Sequence, residues 1–300
     1  MKESTASNNL FFSRTENRLR SGWRLLLQFL LLAFTAVLFS IPALILLPFI
    51  GEASTDVTLL ANSLVLAFAI TVSVYIARRF LDRRSFANLG LSLNSLAVRD
   101  LLFGTGLAGL MMALIFVIEL AMGWLRFDGF AWQVQPPLVI LLGLLGAVAA
   151  FLLTSWGEEL LFRGYWLRNL AEGLNIDWAV IISSLIFAAV HLVNPNPSWM
   201  AMVGLVLAGF FFAFSYIRSR FLWLPIGLHF GWNFFEGTVF GFQVSGLEIF
   251  RLIQQTATGP ELITGGLFGP EAGLILLPAL IFGAAIIYWY TQDRHLKQKV

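Results

Sequence analysis

The sequence predicts an all-α protein, a polytopic membrane helix bundle with about eight transmembrane helices. Of the 300 residues, 58% are hydrophobic and only 12% are charged, whereas soluble domains average about 45–50% apolar and about 25% charged residues. The apolar residues occur in long stretches, as membrane-spanning helices require. The chain has no cysteine, which excludes disulfides, thiolate metal sites and cysteine nucleophiles. We therefore expect an integral, multi-pass membrane protein in contact with the lipid bilayer, with no nucleic-acid partner.

The first apolar stretch follows a polar segment, residues 1–24, that ends in a basic run. We interpret this stretch as an uncleaved membrane anchor because it extends past the roughly 7–15-residue apolar core of a signal peptide. It predicts a first span at about 25–49. Pro42 and Pro48 lie within that range, and we expect them to kink or end the helix because proline lacks a backbone N–H.

Seven further apolar stretches predict spans at about 57–77, 101–123, 138–170, 178–193, 199–217, 221–240 and 268–290. The fourth span is longer than the roughly 20 residues that a bilayer needs, so its helix must tilt or project from the membrane. Asp177 is expected to be the N-cap of the fifth helix. The Gly-rich residues 241–267 predict a loop or a re-entrant segment.

The basic residues are distributed unequally between the two sides of the predicted bundle. An even number of spans places both termini on one side, and all but two of the 19 Lys and Arg residues then fall on that side. The exceptions are Arg126 and Arg251. The positive-inside rule makes the basic side cytoplasmic. We expect both termini in the cytoplasm and, from the short loops and the basic side, a bacterial inner (plasma) membrane location.

Two adjacent carboxylates and a cation, Glu158, Glu159 and Arg163, lie in an otherwise apolar part of the chain. Residues 139–153, just before them, carry no charge. Ionisable groups at membrane depth are costly, so this cluster indicates a functional site. Glu159 and Arg163 are four residues apart and can pair on one helix face, whereas Glu158 is rotated by about 100°. We expect Arg163 to hold one acid while the other is available for chemistry.

Three other polar residues, His191, His229 and Asn233, are predicted at a similar depth. At about 1.5 Å per helical residue, Glu158 lies about 15 Å and His191 about 20 Å from the cytoplasmic ends of their helices. His229 lies at about 12 Å and Asn233 at about 18 Å, and they share a face because they are four residues apart. The rarest side chains of three helices are thus predicted to meet in one layer.

Two kinds of chemistry suit this layer, and the residues alone do not choose between them. A carboxylate beside a neutral imidazole can deprotonate a water, while a second imidazole and an amide can donate hydrogen bonds to an oxyanion. Alternatively, Glu158, His191 and His229 are candidate ligands of a zinc ion that activates a water. Serine chemistry is disfavoured because no serine lies in a nucleophile-elbow pattern.

These residues carry a resemblance to a known family. The chain resembles the CPBP family, the CAAX protease and bacteriocin-processing group that includes the Abi proteins, through three motifs in order: Glu158-Glu159-x-x-x-Arg163, Phe187-x-x-x-His191 and His229-x-x-x-Asn233. Each motif alone is weak, but three in order on separate spans are a specific signal. The resemblance is clearest over about 150–240.

The resemblance implies roles for the motif residues. Glu158 would be the water-activating base, assisted by His191, and His229 and Asn233 would form the oxyanion hole. Glu159 and Arg163 would hold the site in shape, and Phe187 would pack beside it. The family is labelled as metalloproteases, but a metal-free glutamate mechanism has also been argued for it, so zinc and a metal-free site are equal expectations.

The resemblance divides the chain into four parts. They are a basic cytoplasmic segment (1–24), three N-terminal spans (25–136), a catalytic CPBP-type core (137–292) and a basic cytoplasmic tail (293–300). Our hypothesis is an intramembrane endopeptidase that cleaves a membrane-associated peptide or protein at a site opening toward the cytoplasm. The alternatives are a non-catalytic scaffold or bacteriocin-immunity protein that uses the same pocket, and a proton-coupled transporter.

Overall fold

The computed structural model describes residues 11–12, 18–50 and 54–296. Its α-helices are α1 (Ser21–Ile50), α2 (Thr55–Ile76), α3 (Ser95–Ala121), α4 (Pro137–Glu159), α5 (Leu167–Gly173), α6 (Ile176–Val190), α7 (Trp199–Ser219), α8 (Trp223–Asn233), α9 (Glu261–Thr264) and α10 (Leu276–Leu296). The predicted all-α membrane bundle is therefore confirmed.

Six helical stretches are long and apolar enough to cross a membrane: Ser21–Leu46, Thr55–Leu81, Ser95–Ala121, Pro137–Gly173, Ile176–Val193 and Trp199–Ser219. The predicted seventh and eighth spans correspond to α8 and α10. The count of eight spans and the cytoplasmic location of both termini remain predictions. Part of the expected N-terminal segment and the end of the expected basic tail lie outside the described residues.

The long fourth helix is continuous but not uniformly wound. Between α4 and α5 the chain forms a π-helical segment, Leu160–Trp166, and two others, Ala77–Leu81 and Phe234–Val239, continue α2 and α8. Such wider turns are rare and occur frequently at functional sites. The segments after α4 and α8 directly follow a pair of candidate site residues, Glu158 with Glu159 and His229 with Asn233, whereas the segment after α2 does not.

Two expectations about helix ends are corrected by the structure, and a third is narrowed. The helix α1 continues through Pro42 and Pro48 to Ile50, so neither proline ends it, and a kink at these prolines stays a prediction. Asp177 lies in the first turn of α6, and the N-cap is Asn175, whose side chain accepts a hydrogen bond from the Trp178 backbone N–H.

The eighth span begins later than the predicted residue 268. Gly265 and Gly269 have φ of 83° and 101°, conformations that favour glycine and interrupt a helix. The chain therefore forms two short 3₁₀ turns, Gly266–Phe268 and Pro270–Ala272, before α10 begins.

A small antiparallel ribbon lies at one end of the bundle. It pairs β1 (Leu125–Phe130) with β2 (Ile253–Ala257), with a bulge between Phe127 and Gly129. The ribbon joins the connection between α3 and α4 to the long segment between α8 and α10. It therefore fixes part of the region predicted as a loop or re-entrant segment.

Ion pairs join the helix ends at the opposite, basic end of the bundle. Arg24, near the start of α1, contacts Asp82 at 2.8 Å and Glu172 at 2.9 Å. Asp100 in α3 accepts a hydrogen bond from Arg294 in α10, also at 2.8 Å. The starts of α1 and α3 and the ends of α2, α5 and α10 thus lie on one side, as the predicted sidedness requires.

Glycines bring α8 into backbone contact with α3. A Cβ atom at Gly227 would lie 2.2 Å from the carbonyl oxygen of Leu101, and one at Gly231 would lie 2.6 Å from another α3 carbonyl oxygen. Small residues permit this close approach between membrane helices. Because α8 carries His229 and Asn233, this contact positions one wall of the candidate site.

Candidate active site

The predicted polar layer surrounds a cavity of about 320 Å³. Glu158 from α4, His191 just after α6, and His229 and Asn233 from α8 all line it. Most of the other lining residues are apolar side chains from α2, α4, α6, α7, α8 and α10. The structure therefore brings the four predicted polar residues to one enclosed, largely apolar space, where charge interactions are stronger than in water.

Glu159 and Arg163 lie behind this wall as a buried pair. Arg163 Nη1 donates to Glu159 Oε1 at 3.0 Å, which is the pairing that their four-residue spacing predicts. The same carboxylate oxygen lies 2.8 Å from His229 Nδ1. A carboxylate accepts hydrogen bonds, so Nδ1 carries the proton and Glu159 fixes the orientation of the imidazole.

Aromatic rings surround the Arg163 guanidinium and the imidazole. The guanidinium carbon lies 4.4 Å from the centre of the Phe187 ring and 5.1 Å from that of Phe212. Phe212 also stacks on His229, with ring centres 4.9 Å apart. Arg163 Nη2 donates to the Gly209 carbonyl oxygen at 3.3 Å. A planar, weakly hydrated guanidinium suits such a dry, aromatic position, and the rings exclude water from behind the imidazole.

Glu158 differs from its neighbour in its surroundings. Its side chain is 24% exposed, and its Oε2 lies 3.9 Å from His229 Nε2, too far for a direct hydrogen bond. Oε2 has no hydrogen-bond partner among the described residues. Glu159 Oε1 is held by two donors, although its Oε2 also has no partner among the described residues, whereas Glu158 lines the cavity beside the Nε2 edge of the imidazole. The adjacent carboxylates are thus separated into one that is held and one that is available.

His191 and Asn233 complete the lining. His191 follows the last residue of α6, and its Nδ1 lies 2.8 Å from the Phe187 carbonyl oxygen. A carbonyl only accepts, so this contact places the proton on Nδ1 and leaves Nε2 as the basic nitrogen of the neutral ring. Asn233 lies one helical turn after His229 and is largely buried in the cavity wall.

Comparison with known proteins agrees with this arrangement. Residues 140–235, which contain all three motifs, match a family model described as "Type II CAAX prenyl endopeptidase Rce1-like". The resemblance to the CPBP family is confirmed. A Bacillus subtilis (strain 168) protein named "Putative membrane peptidase YdiL" is 28% identical over 259 residues, which cover 82% of this chain and 98% of that protein. At the level of the family, these similarities support an intramembrane protease.

The CPBP family is labelled as metalloproteases, so zinc is an expected cofactor. The arrangement of the side chains can be compared with what a zinc site needs. Within the described parts of the chain, no group of three His, Asp or Glu residues is arranged to hold a metal ion. His229 Nδ1 is occupied by Glu159, which leaves a single nitrogen of this ring for any other contact. The residues as arranged do not form a three-ligand zinc site.

Two further carboxyl groups near this site were not predicted. Glu271, from the 3₁₀ turn before α10, lines the cavity and accepts a hydrogen bond from Ser245 Oγ at 2.5 Å. Glu236 follows Asn233 by three residues, is fully buried, and has no hydrogen-bond partner for either carboxyl oxygen among the described residues. Glu271 is a lone acid in a Gly-rich stretch and gives no signal in the sequence, whereas the spacing of Glu236 from Asn233 and His229 places it on their helix face and could have indicated it.

Proposed function

We propose that the protein is an endopeptidase that hydrolyses a peptide bond of a membrane-associated polypeptide, using a water activated by Glu158. The observation that carries the proposal is the separation of two adjacent carboxylates. Glu159 is fully buried and its Oε1 is held by Arg163 and His229, whereas the Glu158 side chain is 24% exposed and lines the cavity. An unpaired carboxylate in an apolar, enclosed site can act as a general base.

The first chemical step follows from this geometry. Glu158 accepts a proton from the water, and the water oxygen forms a bond to the carbonyl carbon of the substrate. The carbonyl electron pair moves onto its oxygen, which becomes an oxyanion. His191, whose Nε2 is the basic nitrogen of its neutral ring, assists in holding the water. Both groups line the same cavity.

Stabilisation of the oxyanion is assigned to His229 and Asn233. The Asn233 side-chain amide supplies N–H donors, and His229 supplies a second donor when its Nε2 is protonated. The carboxylates of Glu158 and Glu159 lie on the two sides of this imidazole, with contacts of 3.9 and 2.8 Å. They balance the positive charge of the doubly protonated ring, so that the donor can persist inside the apolar bundle.

The second step returns the proton. When the oxyanion re-forms the carbonyl group, the C–N bond breaks and the leaving amine takes the proton from the Glu158 carboxyl group. The products are a new C-terminal carboxyl group and a new N-terminal amine. Glu158 is thus base and then acid within one turnover, and no further reactant is consumed.

The test compares cells that produce wild-type protein with cells that produce Glu158→Gln. Quantitative sequencing of new protein N-termini in the membrane fraction should reveal cleavage products that the variant lacks. Glu248→Gln is the control, because Glu248 is an exposed carboxylate outside the cavity. If Glu158→Gln yields the same products at the same rate, the base is wrongly assigned. If no wild-type products appear and Glu158→Gln keeps the cellular phenotype, the scaffold reading replaces proteolysis.

A further inference from the structure

The cavity extends from the polar layer toward the end of the bundle that lies opposite the basic residues. Glu158 and His229 line its inner part, and the segment between α8 and α10 contributes Ser245 and Glu271 to the wall. The connection between α6 and α7 contributes Asn194, whose side-chain amide donates to the Ser245 carbonyl oxygen at 3.1 Å. Both connections lie at the same end as the β1–β2 ribbon. The cavity is therefore bounded by segments of the non-basic end.

The basic end of the bundle is closed below the site. Leu160, Tyr165 and Leu222 are fully buried there, and so is the Arg163 guanidinium. Tyr165 donates to Asp82 at 3.4 Å, within the ion-pair cluster of that end. None of the described residues that connect helices at this end lines the cavity. A polypeptide arriving from the basic side would have to displace this packed layer.

The mouth of the cavity is marked by the lining residues that remain exposed. These are Asn62 and Leu66 on α2, Val190 at the end of α6, and Val193 in the following connection. Val193 is 89% exposed, and Leu66 and Val190 are about half exposed. The gap is not between α2 and α4, because those helices are joined there by a 2.8 Å hydrogen bond from one hydroxyl side chain to another. The opening lies between α2 and the end of α6.

We propose that substrate enters this cavity from the non-cytoplasmic side, through the mouth between α2 and the end of α6. The basic end is cytoplasmic by the positive-inside rule, so the mouth belongs to the opposite half of the bilayer. This replaces the cytoplasmic opening expected from the sequence. The inference rests on the proposed proteolysis and names its substrate class: a polypeptide segment exposed on, or embedded in, the non-cytoplasmic half of the membrane.

The absence of cysteine from the chain permits a direct test with single-cysteine variants. Asn62→Cys and Val193→Cys place thiols at the mouth, while Glu248→Cys reports the non-basic end and Ser92→Cys the basic end. Each variant is treated with a membrane-impermeant maleimide in right-side-out and in inside-out vesicles. All are repeated in the Glu158→Gln background, because labelling requires no catalysis.

In right-side-out vesicles we expect both mouth variants and Glu248→Cys to be labelled. In inside-out vesicles we expect both mouth variants to be protected and Ser92→Cys to be labelled. Labelling of the mouth variants together with Ser92→Cys would overturn the proposal, and so would protection of both mouth thiols in both preparations. Inverted labelling of the two controls would overturn the assigned sidedness and the proposal with it. Labelling as expected without any wild-type cleavage products would contradict the proteolysis and leave the route of access standing.

Discussion

The same substitution at the two adjacent carboxylates should affect the stability of the protein differently. Glu159 Oε1 lies 3.0 Å from Arg163 Nη1 and 2.8 Å from His229 Nδ1, and all three side chains are almost wholly buried. Glu159→Gln keeps the shape but removes the negative charge from beside a buried guanidinium. Loss of one partner of a buried ion pair costs about 3–5 kcal/mol. The Glu159→Gln variant should therefore unfold at a clearly lower temperature than the wild type.

The Glu159→Gln variant should also cleave its substrate more slowly, for a different reason. A hydrogen bond to a charged group contributes about 1.5–3 kcal/mol, so a less firmly held His229 imidazole should lower the cleavage rate roughly 10- to 150-fold. Glu158→Gln should abolish cleavage but leave thermal stability nearly unchanged, because Glu158 Oε2 has no partner to lose among the described residues.

The assay is thermal unfolding in detergent micelles, measured beside cleavage of a membrane-anchored peptide for both variants. The reasoning is refuted if Glu159→Gln unfolds at the wild-type temperature, or if Glu158→Gln is the less stable of the two. A loss of activity in Glu159→Gln without any loss of stability would show that the buried charge acts only on the imidazole.

Three further outcomes are expected. Gly227→Ala should lower the unfolding temperature, because its Cβ would lie 2.2 Å from the Leu101 carbonyl oxygen, whereas Gly106→Ala, with nothing within 4 Å, is the matched control. Purified protein that cleaves without bound metal would support the proposed base, whereas stoichiometric zinc that is lost in His229→Ala would contradict it. Hydrogen bonds from Thr256 and Arg126 hold the pKa of Asp128 below its usual value. Ionised Asp128 stabilises the ribbon fully at any pH above the carboxyl group's usual pKa, and this stabilisation is lost as the pH falls through the lowered pKa of the folded protein. Proteolysis of the ribbon should therefore accelerate only in strong acid.

The sequence predicted the helices and the polar layer because both depend on composition along a single segment. An apolar stretch reports that a segment can enter the bilayer, and an acid or a histidine within it is costly enough to indicate a site. The four-residue spacing of Glu159 and Arg163 was sufficient to predict their pairing. The contact between Glu159 and His229 joins residues 70 positions apart, and no local pattern reports it.

The remaining features depend on how segments pack. The two strands of the β1–β2 ribbon are far apart in the sequence, since β1 precedes α4 and β2 follows α8. Neither strand has a sequence pattern that distinguishes it from a loop. Glu271 lies in a Gly-rich stretch where positive φ angles interrupt the helix, so helical spacing gave no guide to its position. The direction of the cavity is a property of the gaps between helices. Hydropathy along the chain measures partition into lipid and carries no information about such gaps.

The ion-pair cluster at the basic end has a consequence for the order in which the protein is assembled. Only 6% of the apolar window in α1 is buried inside the bundle, so most of that helix faces lipid. This helix bonds to the second span through Gln28 and Ser73, and Arg24 pairs with Asp82 just after that span. Arg24 also pairs with Glu172, which emerges from the ribosome nearly 150 residues after it. The first helix can therefore dock on the second early in synthesis, but the ion-pair cluster at its basic end is complete only once the fourth span has been synthesised and inserted.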